Sequence, residues 1–424
     1  MALALVPMLI ALSGDRPAPR NLLIESGAML GLLGLGVLAM QLVITGRHRW
    51  FAGRLGQDNL LQFHRQVGIF GWLLVLAHPL CMILGSPVYL AFLDPRAGWI
   101  RAATLYVVLL AATALIVTTL WRRRFHLQYE WWRAVHAVLA LVVVAGGLGH
   151  ALMADHYTAG WVTKALLGGV VVVPLLLLLE TRLLRPWRLR RRPWQVCGVE
   201  QRSGGVTRLE LRPEGHPGMQ FNPGQFVWLT LGPSPYTLQQ HPFSIASAAT
   251  EPERIELAIK PLGDFSASVA DVACGTRAWL EGPYGTFSID VTSGRRAVFV
   301  AGGIGITPMI SMLRTCRAKG CRQPLWLVDA NNEQGDIIFR NEIESLAHTL
   351  SLRVVHVLLE PPAGWQGETG FVDEALLDRV LPPDAADIDY FVCGPPPMMN
   401  LVEPALRARG VTADRLHSER FELV

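Results

Sequence analysis

The sequence predicts a multi-domain membrane protein: an all-α bundle of six transmembrane helices over residues 1–190, an antiparallel β-barrel over 191–291, and a doubly wound α/β domain over 292–424. Three observations predict it. Hydrophobic residues are 51% of the 424-residue chain and charged residues only 17%, and the long apolar runs fall in the first 180 positions. From 193 to 290, short β-branched or aromatic strands alternate with Gly/Pro turns, as in TRLELRP, GQFVWLTL and RIELAIKP. From Arg295 onward the pattern becomes strand, glycine turn, helix: AVFVAGGIG with TPMISMLRTCRAKG, PLWLVDA with FRNEIESLA, LRVVHVLL, and DYFVCGPPPMM with LVEPALRARG. That alternation is the mark of a parallel sheet covered by helices.

Apolar stretches at 22–45, 64–84, 101–120, 131–154 and 161–181 each approach the ~20 residues needed to cross hydrocarbon. The opening MALALVPMLIAL is shorter and has neither a basic n-region nor a small-residue cleavage site, so it is expected to be a sixth, shortened helix. One set of loops carries Arg47, Arg49, Arg54, Arg122, Arg123, Arg124, Arg133, Arg182, Arg185, Arg188, Arg190, Arg191 and Arg192. The opposite loops carry only Arg16, Arg20, Arg96 and Arg101. Thirteen against four places the first set, and the C-terminal domains after Arg192, in the cytoplasm. The run RLLRPWRLRRRPW reads as a stop-transfer flank whose arginines snorkel to the headgroups.

Two of the apolar segments carry two histidines at the same interval of fourteen: His64 and His78 in HRQVGIFGWLLVLAHPL, His136 and His150 in HAVLALVVVAGGLGH. Fourteen helical residues turn about 1,400°, within roughly 40° of four full turns, and rise about 21 Å. Each pair therefore lies on one helix face, its members near opposite sides of the membrane core. Two such helices side by side offer two stacked bis-imidazole sites, an arrangement that could hold two hemes across a bilayer. By the arginine count His64 and His136 sit at the cytoplasmic ends, His78 and His150 at the outer ends. His48 and His126 lie in basic loops, and His156 follows the outer end of its helix without a partner, so these are poorer candidates.

The six cysteines, at 81, 197, 274, 316, 321 and 393, form no C-x-x-C pair, which argues against a zinc or iron–sulfur site and for a reduced compartment. The net charge of +4 needs no nucleic acid to explain it, because the arginines flank apolar segments.

AGGIGITP (301–308) follows a strand and opens a helix. Gly302, Gly303 and Gly305 would let backbone approach a pyrophosphate at the helix N-terminus, and Pro308 suits a first turn because it has no N–H to lose. HPFSIAS (241–247) ends a strand of the barrel, and EGPYGTF (281–287) precedes the parallel sheet. With NPGQFVWL (222–229), VCGPPPMM (392–399) and SERFELV (418–424), this ordered set resembles the ferredoxin–NADP reductase superfamily over roughly 193–424.

That resemblance implies an FAD domain followed by an NAD(P)H domain. It assigns Phe243 to the isoalloxazine and Ser244 to a hydrogen bond with the ring, beside Pro242, with His241 where many soluble members have arginine. Lys260 and Ser266 in AIKPLGDFS would contact phosphates and ribose. Thr307 with the 302–305 glycines would hold the nucleotide, and Cys393, Gly394 and Pro395 would flank the nicotinamide. Phe421 would cover the flavin and move for hydride transfer, with Cys393 beside the reacting ring. Asp329, Ala330, Asn331 and Asn332 occupy the region that reads the adenosine ribose; the acidic residue there leans toward NADH or dual use, unless Arg314 or Arg340 turns toward a 2′-phosphate of NADPH.

The apolar half resembles the ferric reductase transmembrane domain, whose hallmark is paired histidines on its third and fifth helices; HRxxG at His64 and WWRAVH ending at His136 carry the likeness. The whole is similar to bacterial NADPH oxidases and ferric reductases. It implies electron flow from NAD(P)H through FAD and two b-type hemes, His64 with His136 and His78 with His150, to an acceptor outside a bacterial-type inner membrane. Dioxygen, giving superoxide, is the expected acceptor. A ferric chelate is the competitor, because Met82 stands where eukaryotic oxidases of the family have a further histidine. A heme subunit feeding a protein partner is a further alternative, against which the fused FAD and nucleotide motifs argue; no obligatory protein subunit is evident. Trp72 could sit near a porphyrin, whereas Trp132 reads as an interface anchor.

Overall fold

The computed structural model describes residues 2–14, 18–48, 57–122, 124–292, 296–383 and 387–420. The chain divides into two compact units, Met1–Phe51 with Asn59–Arg185, and Ala52–Asp58 with Pro186–Val424.

The first unit is helical because a chain in lipid has no other partner for its backbone N–H and C=O groups. A short apolar helix, α1 (Val6–Ser13), precedes α2 (Leu22–Ile44), α3 (Gln57–Gly85), α4 (Trp99–Leu120), α5 (Tyr129–Met153) and α6 (Trp161–Leu179). The last five are long and apolar enough to cross a membrane, matching the stretches expected from hydropathy. Asn21 caps α2, its side chain accepting from Ile24 N–H at 3.0 Å. Past Leu179 the helix widens into a π-turn, Glu180–Leu184, and ends in a short turn, Arg185–Leu189. Large apolar side chains such as Leu73, Leu110, Val138 and Leu176 are exposed, as lipid-facing residues must be.

α2 is the most enclosed of the five, with Leu32, Leu35, Val37, Ala39 and Leu42 buried. Its glycines allow that: a Cβ on Gly31 would lie 2.8 Å from His78 Nδ1, one on Gly34 would lie 3.5 Å from Leu74 Cβ, and one on Gly36 would strike the Ala4 carbonyl. Small residues here bring backbones close where lipid offers no hydrophobic drive.

The second unit holds two six-stranded sheets. The antiparallel one comprises β1 (Trp194–Gln201), β2 (Thr207–Pro213), β3 (Phe226–Leu231), β4 (His241–Ser244), β5 (Ile255–Ile259) and β6 (Arg277–Tyr284), in the order β4-β3-β6-β1-β2-β5. An isolated bridge from Ile245 to Leu257 links its two edges. Inward residues Val196, Leu209, Leu211, Val227, Leu229 and Leu257 form its core.

The parallel sheet comprises β7 (Arg296–Gly302), β8 (Leu325–Asn331), β9 (Leu352–Leu358), β10 (Glu368–Thr369), β11 (Ile388–Gly394) and β12 (Leu416–Arg420), in the order β10-β9-β8-β7-β11-β12. Its central strands are apolar on both faces because both are covered. α7 (Ile306–Lys319) and α8 (Arg340–Thr349) bury Ile310, Leu313 and Ile343 against Phe299, Leu327 and Phe391. α9 (Glu374–Val380) and α10 (Pro396–Ala408) bury Leu377, Val402 and Leu406 against Val298, Val300 and Val392. The chain steps outward from β7 to β10, then returns to β11 on the other side of β7. The strand order therefore reverses between β7 and β11, and in such sheets the crevice at that point is where ligands bind.

Candidate functional site

In the helical unit, α3 and α5 bring the four histidines together in two pairs. The rings of His64 and His136 lie with centroids 6.2 Å apart, tilted by 60°. Those of His78 and His150 lie 6.0 Å apart, at 63°. The first histidine of each pair is held from α2. His64 Nδ1 is 2.7 Å from Gln41 Oε1, while Gln41 Nε2 donates to the His64 carbonyl at 3.1 Å. His78 Nδ1 donates to the Gly27 carbonyl at 2.7 Å. A backbone carbonyl can only accept, so the proton is on Nδ1 of His78, and Nε2 carries the lone pair. His136 Nδ1 is 3.2 Å from Thr119 Oγ1 on α4. The Trp132 ring, in the first turn of α5, lies 5.2 Å from that of His136 and 5.5 Å from the Arg122 guanidinium. Nε1 of Trp132 and Nε1 of Trp72 are both buried without a hydrogen-bond partner among the described residues.

The remaining histidines have other occupations. His48 is buried with Nδ1 3.2 Å from Arg185 Nη2. Burial and then the Arg185 charge hold its imidazole below the ordinary value. His156, which the sequence left without a partner, has Nε2 3.8 Å from Glu25 Oε1. Glu25 also receives Arg20 Nε at 2.9 Å and the Tyr157 hydroxyl.

In the second unit, β4 carries the HPFS motif, with Phe226 opposite Ser244 and Leu229 opposite His241 on β3. Ser244 Oγ is buried and has no hydrogen-bond partner among the described residues. A buried hydroxyl without a partner costs free energy unless something supplies one. Phe265 stacks on His241, centroids 4.2 Å apart and 20° between planes, and lies 6.3 Å from Phe243. Gln225 ties two of the motifs together: its Nε2 donates to the Gly285 carbonyl at 2.8 Å, and its Oε1 accepts from Asn222 N–H at 2.8 Å. Ser266 has a local task. Its hydroxyl accepts from Leu262 and Gly263 N–H and donates to the Gly263 carbonyl, each at 2.9 Å, closing the turn that presents Phe265. Lys260 is half-buried just after β5.

At the strand-order reversal, the three glycines divide their work. A Cβ on Gly302 would lie 2.7 Å from Pro395 Cδ and 2.8 Å from Met398 Sδ, and one on Gly305 would strike the Cys393 carbonyl. These two are glycine so that the turn after β7 can pack on the turn after β11. Gly303, at φ +54°, has open space among the described residues where a Cβ would be. Gly302 and Gly305 are thus glycines that the packing of the two turns itself requires, whereas at Gly303 it is the positive φ that requires one. Thr307 is buried and donates to the Ile304 carbonyl at 2.8 Å, bracing the turn, and Pro308 is buried in the first turn of α7. Cys393 is fully buried in the core with Phe299, Ile306 and Phe391; Gly394 is buried and Pro395 exposed beside it. Arg420 ends β12 opposite Gly394, and Phe421 lies outside the described residues.

Past β8, Asp329 is 2% exposed and its Oδ2 lies 3.1 Å from His356 Nδ1. Both side-chain polar atoms of buried Asn331 lack a partner among the described residues. Neither arginine turns toward this corner. Arg340 Nε donates to Glu344 at 3.2 Å, and Arg314 is enclosed by Glu342, Glu256 and the Ala246 carbonyl.

Comparison with known proteins fits this layout. Residues 30–147 match the family described as ferric reductase like transmembrane component, residues 203–288 an FAD-binding domain, and residues 299–403 an oxidoreductase NAD-binding domain. The chain is thus a fusion of a ferric-reductase-like membrane component with FAD- and NAD-binding domains. The fusion is 35% identical over 170 residues to NADH-cytochrome b5 reductase 1 of Pyricularia oryzae, covering 39% of this chain and 55% of that one. It is 31% identical over 237 residues to the reductase component of propane 2-monooxygenase of Rhodococcus jostii, covering 54% and 62%. The chain thus spans little more than half the length of these relatives. Among solved structures, the FAD/NAD-binding domain of a nitric oxide dioxygenase from Vibrio cholerae aligns at 25% identity over 54% of this chain and 98% of that one, with a TM-score of 0.49.

The groups that sequence reasoning missed in this fusion are those that hold the named residues. Gln41, the Gly27 carbonyl and Thr119 steady the histidines, and Glu25 gathers His156, Tyr157 and Arg20. Gln41 and Glu25 carried a signal, each being a polar side chain inside an apolar span.

Proposed function

We propose that this chain is a membrane-bound NAD(P)H-dependent oxidoreductase that passes electrons from a cytoplasmic nucleotide through FAD and two b-type hemes to an acceptor on the outer side. Residues 1–190 are the heme-binding membrane domain, a bundle of six helices if the short α1 is counted, 191–291 the FAD-binding barrel, and 292–424 the nucleotide domain. The observation that carries the reading is the pair of histidine couples on the same two helices, with centroids 6.2 and 6.0 Å apart. Two imidazoles on one metal ion stand about 6 Å apart, from two bonds of ~2 Å and two ring radii of about 1 Å. The hydrogen bonds of His64 and His78 through Nδ1 leave Nε2 for iron, and such outer partners fix ring orientation and raise ligand basicity. Bound flavin accepts two electrons as hydride and can release them singly, and heme iron takes them one at a time.

The unpartnered hydroxyl of Ser244 fits a hydrogen bond to the flavin ring, with Phe243 beside it, and His241 and Pro242 complete the strand. Gly303 receives the pyrophosphate at the start of α7, with Thr307 bracing the turn and Gly394 and Pro395 at the nicotinamide. Asn331 presents two buried polar atoms to the adenosine ribose, and with Arg314 committed to carboxylates this favours NADH. The cytochrome b5 reductase relative, an NADH enzyme by name, leans the same way. The arginine asymmetry puts the nucleotide in the cytoplasm of a bacterial-type cell, and His78 with His150 at the outer face.

Dioxygen, leaving as superoxide, is the acceptor in this reading. Reduction of a ferric chelate is the second reading, favoured by Met82 at the position where oxidases of this type have a further histidine. Purified protein should show a reduced-minus-oxidised low-spin b-type spectrum with about two hemes per flavin. With NADH or NADPH it should reduce cytochrome c in a way that superoxide dismutase suppresses. Dismutase-insensitive reduction in competition with ferric chelates would select the second reading, and absence of a heme spectrum would sink both.

A further inference from the structure

The helix that opens on the glycine turn also grips the chain that follows the flavin strand. Ser311, Arg314 and Thr315 of α7 stand at i, i+3 and i+4, so they share one stripe of the helix. Ser311 Oγ donates to the Ser247 carbonyl at 2.7 Å and Arg314 Nη1 to the Ala246 carbonyl at 2.8 Å. Ala249 N–H donates to Thr315 Oγ1 at 2.9 Å. Their targets begin two residues after Ser244.

Arg314 is the centre of this clamp. Its Nε and Nη2 take both oxygens of Glu342 on α8, at 2.6 and 2.7 Å, the two-pronged geometry that only a guanidinium offers. Its Nη1 also reaches Glu256 Oε1 on β5 at 2.9 Å. Glu256 has no exposed surface and is further held by Arg208 at 2.7 Å and Arg254 at 3.3 Å, while its N–H donates to Ser247 Oγ at 3.2 Å. Burying ions in this way contributes little net stability compared with apolar packing, so what it secures is geometry.

We propose that Arg314 is a positioning residue for hydride transfer from the nucleotide to the flavin. It fixes segment 246–249 against α7, and thereby sets the distance between the ring held at Phe243 and Ser244 and the nucleotide held at Gly303. This rests on the functional reading above. In the step, a hydride leaves the dihydronicotinamide carbon with both electrons of its C–H bond, oxidising the nucleotide. It bonds to a flavin ring nitrogen, reducing the flavin, and no further reactant is needed. Reacting atoms must approach to about 3–3.5 Å, and a displacement near 1 Å can cost on the order of 100-fold in rate.

The test compares full-length wild type with R314K, which keeps the charge and loses the fork, and S311A, which leaves every ion pair intact. Flavin per protein, amide hydrogen exchange across 245–250, and anaerobic flavin reduction at varied NADH are measured. Expected in R314K are unchanged flavin content, faster exchange confined to 246–249, and a limiting reduction rate lower by about 10- to 100-fold, with the half-saturating NADH within about threefold. S311A should lower the limiting rate by roughly 3- to 10-fold. Limiting rates within about twofold of wild type in both variants, or a loss carried wholly by half-saturation, overturn the proposal. If R314K fails to retain flavin, S311A decides alone. If the wild type itself neither holds flavin nor reduces it with nucleotide, the functional reading fails; unchanged exchange in R314K removes the clamp as well, whatever the cofactors do.

Discussion

The two units carry chemistry in opposite ways. In the helical unit it rests on a few polar side chains in apolar surroundings: four histidines, Gln41, and the Glu25 cluster. In the second unit the candidate site rests on backbone, where Gly302 and Gly305 meet the turn after β11 and Gly303 takes a positive φ, while buried side chains such as Arg314 and Glu256 hold the pieces in register. The contrast follows from the solvent. Lipid makes every intramembrane polar group conspicuous and expensive, whereas in a parallel sheet the ligand is met by strand ends and helix N-termini that any sequence can supply. Side-chain identity therefore matters most in the first unit, and the absence of a side chain matters most in the second.

The contrast is broken most directly at the histidines. Removing one imidazole, as in H78A, should take heme content from about two per flavin to about one. NADH-dependent reduction of the external acceptor should fall to background, while flavin reduction by NADH proceeds at the wild-type rate. A pyridine hemochrome assay and flavin bleaching read the two halves separately; unchanged heme content would remove His78 as a ligand.

Backbone dependence in the second unit predicts a different failure. A Cβ at Gly305 strikes the Cys393 carbonyl, which cannot rotate away, so G305A should overpack the two turns and cost about 1–3 kcal/mol. G303A meets no atom of the described residues, and its left-handed backbone costs about 1 kcal/mol. The ranking of thermal midpoints, wild type above G303A above G305A, checks the division of labour, and the reverse order of the two variants would refute it.

A smaller effect belongs to the groups behind the histidines. Q41L removes the acceptor for His64 Nδ1 and should weaken heme at that couple by about 10- to 100-fold while leaving the His78–His150 couple intact. Titration of heme into protein stripped of it would show one site weakened and one unchanged.

What could be read in the sequence sorts along the same line. The spans are legible because hydrocarbon demands unbroken apolar helices, and the pairing of His64 with His78 along one helix is legible because fourteen residues close four turns. The five C-terminal motifs are local strings, and each appears whole in the chain. Gln41 lies 23 residues from His64, and Gly27 lies 51 from His78, so their hydrogen bonds exist only once α2 is packed on α3. The same holds for Glu25 with His156, and for Arg314, which the sequence offered as a phosphate ligand and the fold assigns to two carboxylates. The packing role of Gly302 and Gly305 was hidden for the same reason: their partner turn is some ninety residues downstream.

The least of the expected effects concerns pH, and it tests whether the second unit depends on side-chain charge at all. Burial alone would raise the Glu256 carboxyl, but Arg314 and Arg208 outweigh it and hold the group below its ordinary 4.5. Glu210, beside Arg254, is lowered as well against the same opposing burial. A carboxyl whose folded value is depressed binds fewer protons folded than unfolded, so it contributes stability that is fully present above 4.5. That contribution is lost as pH falls from there through the folded value, at no more than about 1.4 kcal/mol per pH unit for one group. Limited proteolysis of the full chain between neutral pH and mild acid should show little change until pH drops below that point, then progressive opening of the second unit. E256Q should flatten the slope while leaving the share due to Glu210. An equally steep acid transition in E256Q would mean that the network around Arg314 is indifferent to the charge at its centre, and that geometry alone, as at the glycines, governs this unit.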